Sequence, residues 1–461
     1  MDVLDLTRLQ FAVVTIYHYL FVPLSISLSA TTAGLQIAWM RTGQDRYRQL
    51  TLLVGKLLIV TFAVGVVTGL VQEFQFGLAW SGFARFYGDV FGPTLAIEGM
   101  LAFFLEATFL ALWYFGWDRL SRRVHLATIV VVAVGTLLSA FIILAANSFM
   151  QHPVAYELDP VTGRAHLTSF RELLLNKVNL AAFPHTMAGA VMVGGALLLA
   201  VGAWRAWARG RQDDADAPAF GTLARIGAWM TVAGGALTAV TGDHLGKVIT
   251  QVQPMKMAAA EALYSTTTGA PFSIFAVGAD GFSIKVPRLL SILAYGDPNA
   301  TVAGIDDLQA QYAAAYGPGS YIPMVPVAFW TFRLMIGAGM LAMLLALLYL
   351  WRGRRGRTPD TWLVRTAMLL PLLPAAANSL GWIFTETARQ PWIAFGLSKV
   401  ADGISPGLTS GEVLASLLGF AAVYGVLAVV WLRLVRHLVR RPLDPLPAGE
   451  QPADAEPAMS Y

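Results

Sequence analysis

The stretch Gly381–Trp392 reads GWIFTETARQPW, and it closes a long apolar run of the chain. Glu386 and Arg389 are three residues apart, so they share one helical face where hydrocarbon gives way to water. Pro391 is expected to end this helix, and the tryptophans at its two sides suit a membrane interface. A carboxylate at the end of a membrane helix is costly, which indicates either a functional group or an interfacial salt bridge.

The composition predicts a polytopic membrane protein. Of the 461 residues, 56% are hydrophobic and 13% are charged, whereas soluble domains carry about 25% charged residues. The net charge of +4 does not indicate nucleic-acid binding, because the basic residues cluster at helix ends. The chain has no cysteine, which excludes disulfides, thiolate metal sites and iron–sulfur clusters. No cleavable signal peptide is expected, since the N-terminus lacks a basic region and a small-residue cleavage site.

Nine apolar segments are near or above the roughly 20 residues that a membrane-spanning helix needs. We therefore predict an all-α polytopic membrane helical bundle of about nine transmembrane helices with one long outer loop. No internal repeat is evident, which weakens the case for an inverted-repeat transporter. The segments run approximately over 11–39, 51–75, 94–116, 125–149, 180–204, 222–248, 327–351, 362–386 and 411–435.

Arginine predicts the orientation of these segments. The connections after the first, third, fifth and seventh segments, and the tail after the ninth, are rich in arginine. The alternate connections are longer and poorer in basic residues. Because basic connections stay inside, we expect the N-terminus outside and the C-terminus in the cytoplasm. Lys56, about one turn into the second segment, is expected to snorkel to the surface.

The predicted organisation has four parts. Residues 1–248 hold six transmembrane segments, 249–326 form the extracytoplasmic loop, 327–440 hold three further segments, and 441–461 form a Pro- and Glu-rich tail expected to be disordered. The loop opens with a predicted amphipathic helix that begins at Pro254. A loop of this length is more often functional than idle.

Two histidines lie inside apolar segments and are therefore candidates for a functional role. They are His18 and His185, whereas the other five lie at segment ends or in loops. The alternative for each is a neutral histidine bonded to a carbonyl of a neighbouring helix. Met335 alone suits an ordinary core position, but His with Met is an axial pair for a six-coordinate, electron-carrying heme.

Further polar residues interrupt the apolar segments. Arg333 suits pairing with a heme propionate, or simple snorkelling. Glu98 and Glu106 are eight residues apart, which in a regular α-helix is about 12 Å along the axis and within a quarter turn. Two acids on one membrane helix indicate a proton relay. Ser139 and Asn147 extend such a relay, although Ser139 also suits helix packing.

These residues occur in motifs that resemble subunit I of the cytochrome bd quinol oxidases. The resemblance covers nearly the whole chain, and the order and spacing of its motifs are specific. The motifs are Tyr17-His18 with Phe21-Val22-Pro23-Leu24, Glu73-Phe74-Gln75-Phe76-Gly77, Ala96-Ile97-Glu98-Gly99 with Phe103-Phe104-Leu105-Glu106, Gly116-Trp117-Asp118-Arg119, Ala146-Asn147 with Met150-Gln151, Phe332-Arg333 with Met335, and Glu386 with Arg389-Gln390-Pro391-Trp392.

The resemblance implies three hemes. His185 and Met335 are expected to ligate a low-spin heme b, where electrons enter. His18 is expected to be an axial ligand at a high-spin pair, most simply of the oxygen-reducing heme, and Glu386 to ligate the other high-spin heme. The cofactors implied are thus low-spin heme b, high-spin heme b, and either a chlorin heme d or a further heme b. Arg389 and Trp382 are expected near Glu386.

The resemblance also implies a proton path and a quinol site. The path is expected to involve Glu98, Glu106 and Ser139, and the quinol site Lys256 and Glu261 in a loop of the short form. The family commonly has glycine where this chain has Ala388, whose methyl group is expected to crowd the helix end.

The function implied is a quinol:O₂ oxidoreductase of the bacterial cytoplasmic membrane. It oxidises menaquinol or ubiquinol at the outer face and reduces O₂ with cytoplasmic protons, without pumping. A second large membrane subunit and a small single-span subunit are the partners expected, within the lipid bilayer. Two alternatives remain at this point. One is a proton-coupled transporter whose path is lined by the intramembrane charged residues, and the other is a heme-b electron-transfer subunit without oxidase activity.

Overall fold

The computed structural model describes residues 2–210, 216–276, 282–354 and 360–444. Its helices are α1 (Val3–Tyr19), α2 (Val22–Thr42), α3 (Asp45–Leu78), α4 (Ser81–Gly99), a π-helical segment (Met100–Glu106), α5 (Ala107–Phe115), α6 (Arg122–Gln151), α7 (Phe170–Leu174), α8 (Lys177–Gly210), α9 (Ala217–Val252), α10 (Pro254–Glu261), α11 (Leu289–Tyr295), α12 (Ile305–Tyr316), α13 (Val325–Arg352), α14 (Thr361–Leu369), α15 (Leu372–Thr387) and α16 (Ser410–Arg440).

Nine helical stretches in the described residues are long and apolar enough to cross a membrane. They are α1 with α2, α3, α4 to α5, α6, α8, α9, α13, α14 with α15, and α16. The all-α membrane bundle predicted from the sequence is therefore confirmed.

The first span is divided near its middle. The helix is interrupted at Leu20 and Phe21, and Pro23 follows as one of the first residues of α2. Proline lacks a backbone N–H and disfavours helical conformation in the residue before it, which accounts for a break here. The break leaves His18 in the last turn of α1.

The third span differs from the prediction in two respects. Its helix begins at Ser81 rather than near residue 94. The sequence predicted too late a start because polar Ser81, Arg85 and Asp89 interrupt the apolar pattern of the first turns. In addition, Met100–Glu106 is π-helical. The regular α geometry assumed between Glu98 and Glu106 is thus wrong, and π segments often occur at functional sites.

The pair α8 and α9 forms the tightly packed part of the bundle. Glycines at the contact allow the two backbones to approach closely, as is common in membrane helices. A Cβ at Gly202 would lie 2.3 Å from the Ala224 nitrogen, and a Cβ at Gly227 would lie 2.3 Å from the Leu199 nitrogen. These contacts fix the helix that carries His185.

Short strands and helices cover one end of the bundle. The strands are β1 (Tyr156–Leu158), β2 (Ala165–Leu167), β3 (Thr267–Thr268), β4 (Phe272–Ala276), β5 (Ser283–Val286), β6 (Thr301–Val302), β7 (Trp392–Ala394) and β8 (Ser398–Lys399), in antiparallel pairs β1–β2, β3–β6, β4–β5 and β7–β8.

The helix α10 begins at Pro254 as the sequence predicts, but it is not amphipathic. All residues from Met255 to Glu261 are buried. They pack between α12, α13 and the segment after α15. The alanine-rich sequence of α10 allows this close packing on several sides, and it brings Lys256 and Glu261 into the protein interior.

The first residues of the tail are ordered, so the prediction of disorder from residue 441 is wrong for them. Leu443 is buried in the apolar core, and its N–H donates to Asp216 Oδ2. Asp444 accepts a hydrogen bond from Lys56 Nζ at 2.6 Å, so Lys56 forms an ion pair instead of only snorkelling. Residues 445–461 lie outside the described residues.

Candidate functional site

A large cavity lies between α1, α3, α4, α6 and α15. About 1720 Å³ of space not occupied by protein atoms lies within it, open solvent at its mouth included. The predicted site residues that line it are His18, Glu98, Glu106, Ser139, Trp382 and Glu386.

His18 presents one ring nitrogen to this cavity. Its Nδ1 lies 2.9 Å from Thr68 Oγ1, and that hydroxyl donates its own proton to the carbonyls of Val64 and Gly65. A Thr68 hydroxyl that donates to either carbonyl accepts a hydrogen bond from His18 Nδ1–H, and in that tautomer the Nε2 lone pair of His18 is free. A Cβ at Gly69 would lie 3.2 Å from His18 Cε1, so the glycine leaves room for the ring.

Glu386 is oriented by two donors. Asn147 Nδ2 donates to Glu386 Oε1 at 3.0 Å, and Arg389 Nη2 donates to Glu386 Oε2. The salt bridge considered from the sequence is thus present, yet each carboxylate oxygen retains a second lone pair. The carboxylate faces the cavity, so it is both paired and available as a ligand.

The helix α15 ends earlier than expected. Its last residue is Thr387, four residues before Pro391, and the chain then turns. Trp382 lies on the helix and stacks on Tyr19 with ring centroids 5.4 Å apart. Ala388 has φ −76°, an ordinary right-handed value, so its backbone conformation does not require glycine.

Glu98 and Glu106 line the same cavity but differ in their contacts. Ser139 Oγ donates to Glu98 Oε1 at 3.0 Å, so this serine is more than a packing residue. Glu106 is 3% exposed, and its Oε1 has no hydrogen-bond partner among the described residues. A buried carboxyl without a partner is costly when ionised, which suits a group that exchanges protons with water or a neighbouring acid.

His185 lies in α8 outside the lining of this cavity, where its ring faces α9. Its Nδ1 is 3.1 Å from the carbonyl oxygen of Thr238 in α9. A carbonyl can only accept, so His185 carries its proton on Nδ1 and presents Nε2 as a lone pair. The neutral, carbonyl-bonded histidine considered from the sequence is therefore compatible with a ligand. A Cβ at Gly242 would lie 3.0 Å from His185 Cε1.

Met335 lies in α13 against α15, where a Cβ at Gly381 would lie 2.8 Å from the Met335 sulfur. The helices α13 and α15 contact each other extensively, and both also contact α8, α9 or α14. The helices that carry His185 and Met335, α8 and α13, thus both contact α9.

Arg333 is engaged by the loop rather than free. Its Nη2 donates to Glu261 Oε2 at 2.8 Å, and its Nε donates to the Ser273 carbonyl at 2.7 Å. Its Nη1 donates to the carbonyls of Ala260 and Phe329. Since a guanidinium has five N–H groups, one remains for a propionate.

Lys256 lies on another side of α10 and is 2% exposed. Its Nζ donates to Gln151 Oε1 at 2.6 Å. Burial is the main cause that lowers the pKa of Lys256 to about 7, and Arg389 contributes to the same direction. Burial likewise raises the pKa of Glu261 to about 7, against the attraction of Arg333.

Comparison with known proteins identifies the family of this chain. A family model described as "Cytochrome bd terminal oxidase subunit I" matches residues 6–443. The chain belongs to this family. It is 40% identical to "Cytochrome bd ubiquinol oxidase subunit 1" of Bacillus subtilis (strain 168), with 93% of this chain and 92% of the relative covered.

Two further comparisons agree. "Cytochrome bd-II ubiquinol oxidase subunit 1" of Escherichia coli (strain K12) is 34% identical, with 95% and 96% covered. The chain also resembles the structure titled "The structure of bd oxidase from Geobacillus thermodenitrificans", with a TM-score of 0.85, 27% identity, and 95% and 99% covered. The chain is therefore a quinol oxidase subunit of a respiratory, heme-binding family.

The donors in this cytochrome bd subunit fit heme ligation. Imidazole nitrogen, thioether sulfur and carboxylate oxygen can all ligate heme iron, and second partners usually fix the tautomer of a ligating histidine. Thr68 and Thr238 contact Nδ1 of His18 and of His185, and sequence reasoning missed both. They lie about fifty positions from their histidines, and no local pattern connects residues at that separation.

Proposed function

We propose that this cytochrome bd subunit holds three hemes: a low-spin heme b at His185 and Met335, a high-spin heme b, and a heme d or further heme b beside His18 and Glu386. The observation that carries the proposal is that Nδ1 of each intramembrane histidine lies within hydrogen-bond distance of a threonine oxygen. A histidine that gives its Nδ1–H to that oxygen leaves Nε2 for a metal. When bound, the hemes supply the electron transfer from quinol to O₂ and the open coordination position that O₂ needs.

The protein groups around the cavity are proposed to manage protons. Glu106 is followed by α5, which leads toward the arginine-rich end, and Glu98 shares the cavity with it. Protons from the cytoplasm would reach Glu106 first and then Glu98, which Ser139 orients. The unpartnered, buried Glu106 carboxyl supports this order, because it is most stable when protonated.

We further propose that Lys256 and Glu261 serve quinol oxidation at the outer face. Quinol loses two protons and two electrons, so its oxidation needs a base that accepts a proton and a donor that holds a quinol oxygen by a hydrogen bond, and a pKa near neutrality suits both tasks. Each has a pKa shifted to about 7 by burial. Quinol protons released outside, with cytoplasmic protons used for water, would separate charge without a pump.

The orientation is proposed with the N-terminus outside and the C-terminus in the cytoplasm. Supporting it, arginines of two predicted inner connections meet: Arg48 lies over the rings of Trp39 and Trp117, and Arg122 over Trp39. Such cationic and aromatic groups suit a cytoplasmic interface. Large exposed apolar faces on α13 and α16 leave surface for lipid, the second large subunit and a small single-span subunit.

A reduced-minus-oxidised spectrum of the purified complex, with extraction of its hemes, tests the proposal. We expect two b hemes with a chlorin band in the red, or three b hemes per complex. A single b heme would support an electron-transfer subunit without oxidase activity. A folded complex without heme would overturn the proposal and favour a transporter.

A further inference from the structure

Gln151 joins the end of α6 to the beginning of α10. Its side chain is 1% exposed, and its Oε1 accepts the hydrogen bond from Lys256 Nζ at 2.6 Å. Its backbone carbonyl accepts a second hydrogen bond, from Gln253 Nε2, at 2.6 Å. One residue of the bundle thus holds both polar side chains at the start of the loop helix.

The geometry makes Gln151 the acceptor on which the Lys256 side chain depends. A buried ammonium needs acceptors, because its hydration is lost. The aromatic ring of Phe384 is 6.0 Å from Nζ, at the limit of a cation–π contact. Gln151 Nε2 itself has no partner among the described residues, so the amide is oriented by its oxygen and not by a competing bond.

We propose that Gln151 is a positioning residue that holds Lys256 for quinol oxidation; this inference rests on the proposed quinol role of Lys256. Without the acceptor, Lys256 would lose both its fixed direction and a contact that favours its charged form. Gln151 touches neither quinol nor heme in this assignment and acts through the lysine.

The charged groups that face Lys256 act on its pKa together with Gln151, and they determine the direction in which each replacement of Gln151 shifts that pKa. Arg389, after α15, disfavours the lysine charge, and Glu386 in α15 favours it, while burial has the largest effect and lowers the pKa to about 7. Gln151→Leu removes the uncharged acceptor and should lower this pKa further. Gln151→Glu keeps an acceptor oxygen, adds a negative charge and should raise it.

The experiment measures the quinol KM from pH 6 to pH 9 in the purified complex, beside oxidation of an artificial donor that bypasses the loop. A hydrogen bond to a charged group is worth enough to change binding by about tenfold. We expect Gln151→Leu to raise the quinol KM about tenfold at neutral pH and to move its alkaline rise to lower pH. Gln151→Glu should retain a low KM and move the rise to higher pH.

A buried glutamine elsewhere provides the matched control. Gln36 is also fully buried and bonds to His125 and Trp113, far along the chain from the loop. Gln36→Leu should leave the quinol pH profile unchanged. If it shifted the profile as Gln151→Leu does, the effect would be general destabilisation and the proposal would be overturned.

Two outcomes separate this inference from the proposed quinol site. If Lys256→Leu left the quinol KM unchanged, the quinol role of Lys256 would be wrong. If Lys256→Leu raised the KM but neither Gln151 variant changed the profile, the positioning role alone would be overturned. If the Gln151→Leu variant did not assemble, the Gln151→Glu variant would provide the test. A quinol KM whose alkaline rise stayed at the original pH in that variant would contradict the proposal.

Discussion

The surroundings of His18 and of His185 differ although Nδ1 of each lies within hydrogen-bond distance of a threonine oxygen. His18 lies at the wall of a cavity that it shares with Glu386. His185 lies between packed helices, close to Gly242, and Met335 is equally close to Gly381. One region thus leaves space on the far side of its ligand, as O₂ binding requires, and the other favours a heme held from both sides. Packing, rather than the ligand type, distinguishes the two proposed roles.

Of the replacements considered, Met335→Leu in the packed region around His185 is expected to have the largest effect on heme binding and activity. Leucine has a similar volume but no sulfur, so the low-spin heme signal should disappear or convert while the high-spin signals remain. Quinol oxidation should be abolished, because electrons enter at this heme. Optical spectra of the purified variant test this, and three unchanged heme signals would show that the ligand assignment is wrong.

Rescue by added imidazole should sharpen the comparison. His18→Gly leaves its vacancy beside an open cavity, so free imidazole should enter and restore part of the lost heme signal. His185→Gly leaves its vacancy between packed helices, so the same imidazole concentration should restore much less. Equal rescue in titrations of the two variants would contradict the difference in access.

The replacement Thr68→Val tests the partner of His18 without removing the ligand. It deletes the oxygen that lies 2.9 Å from His18 Nδ1 and keeps the shape of the side chain. Loss of such a partner typically costs 10–100-fold in metal affinity, so heme at the His18 site should be retained about tenfold less tightly. Heme content after dilution measures this, with Thr61→Val on the same helix as the control.

The quinol loop should add a pH dependence that neither heme region has. Glu261 gains a proton as the pH falls through about 7, and Lys256 loses its proton as the pH rises through about 7. With ionised Glu261 and charged Lys256 required, quinol kcat/KM should be bell-shaped with its maximum near pH 7. Oxidation of the artificial donor should lack this bell, and an identical profile for both donors would place the quinol site elsewhere.

The smallest effect is expected for Ala388→Gly. The residue has a right-handed φ of −76°, so the added freedom of glycine brings no relief of strain. Activity and heme spectra should stay within about twofold of the original, with a loss of stability of at most ~1 kcal/mol. A large gain in activity would show that the Ala388 methyl group crowds the site after all.

The sequence predicted the spans well because hydrophobic length is a local property. It located α10 correctly from Pro254 but missed its burial, since alanine suits both a surface and a packed core. It also missed the π-helical segment and the pairing of Arg333 with Glu261, which is formed by residues 72 positions apart. Contacts of this kind depend on how helices meet, and a single sequence does not contain that information.

The π-helical segment Met100–Glu106 has a consequence for mutational scanning. An i to i+5 hydrogen bond spans one more residue than an i to i+4 hydrogen bond. The helix after the segment therefore faces a different direction from the one that an uninterrupted α-helix of the same sequence would give it. Neighbours on one face should be three or four positions apart outside the segment and about five apart across it. A one-residue deletion within the segment should convert it to regular α-helix and keep Glu106 on the same face as Glu98, because seven residues make about two α-helical turns. The same deletion in a uniform α-helix would rotate all following residues by about 100°.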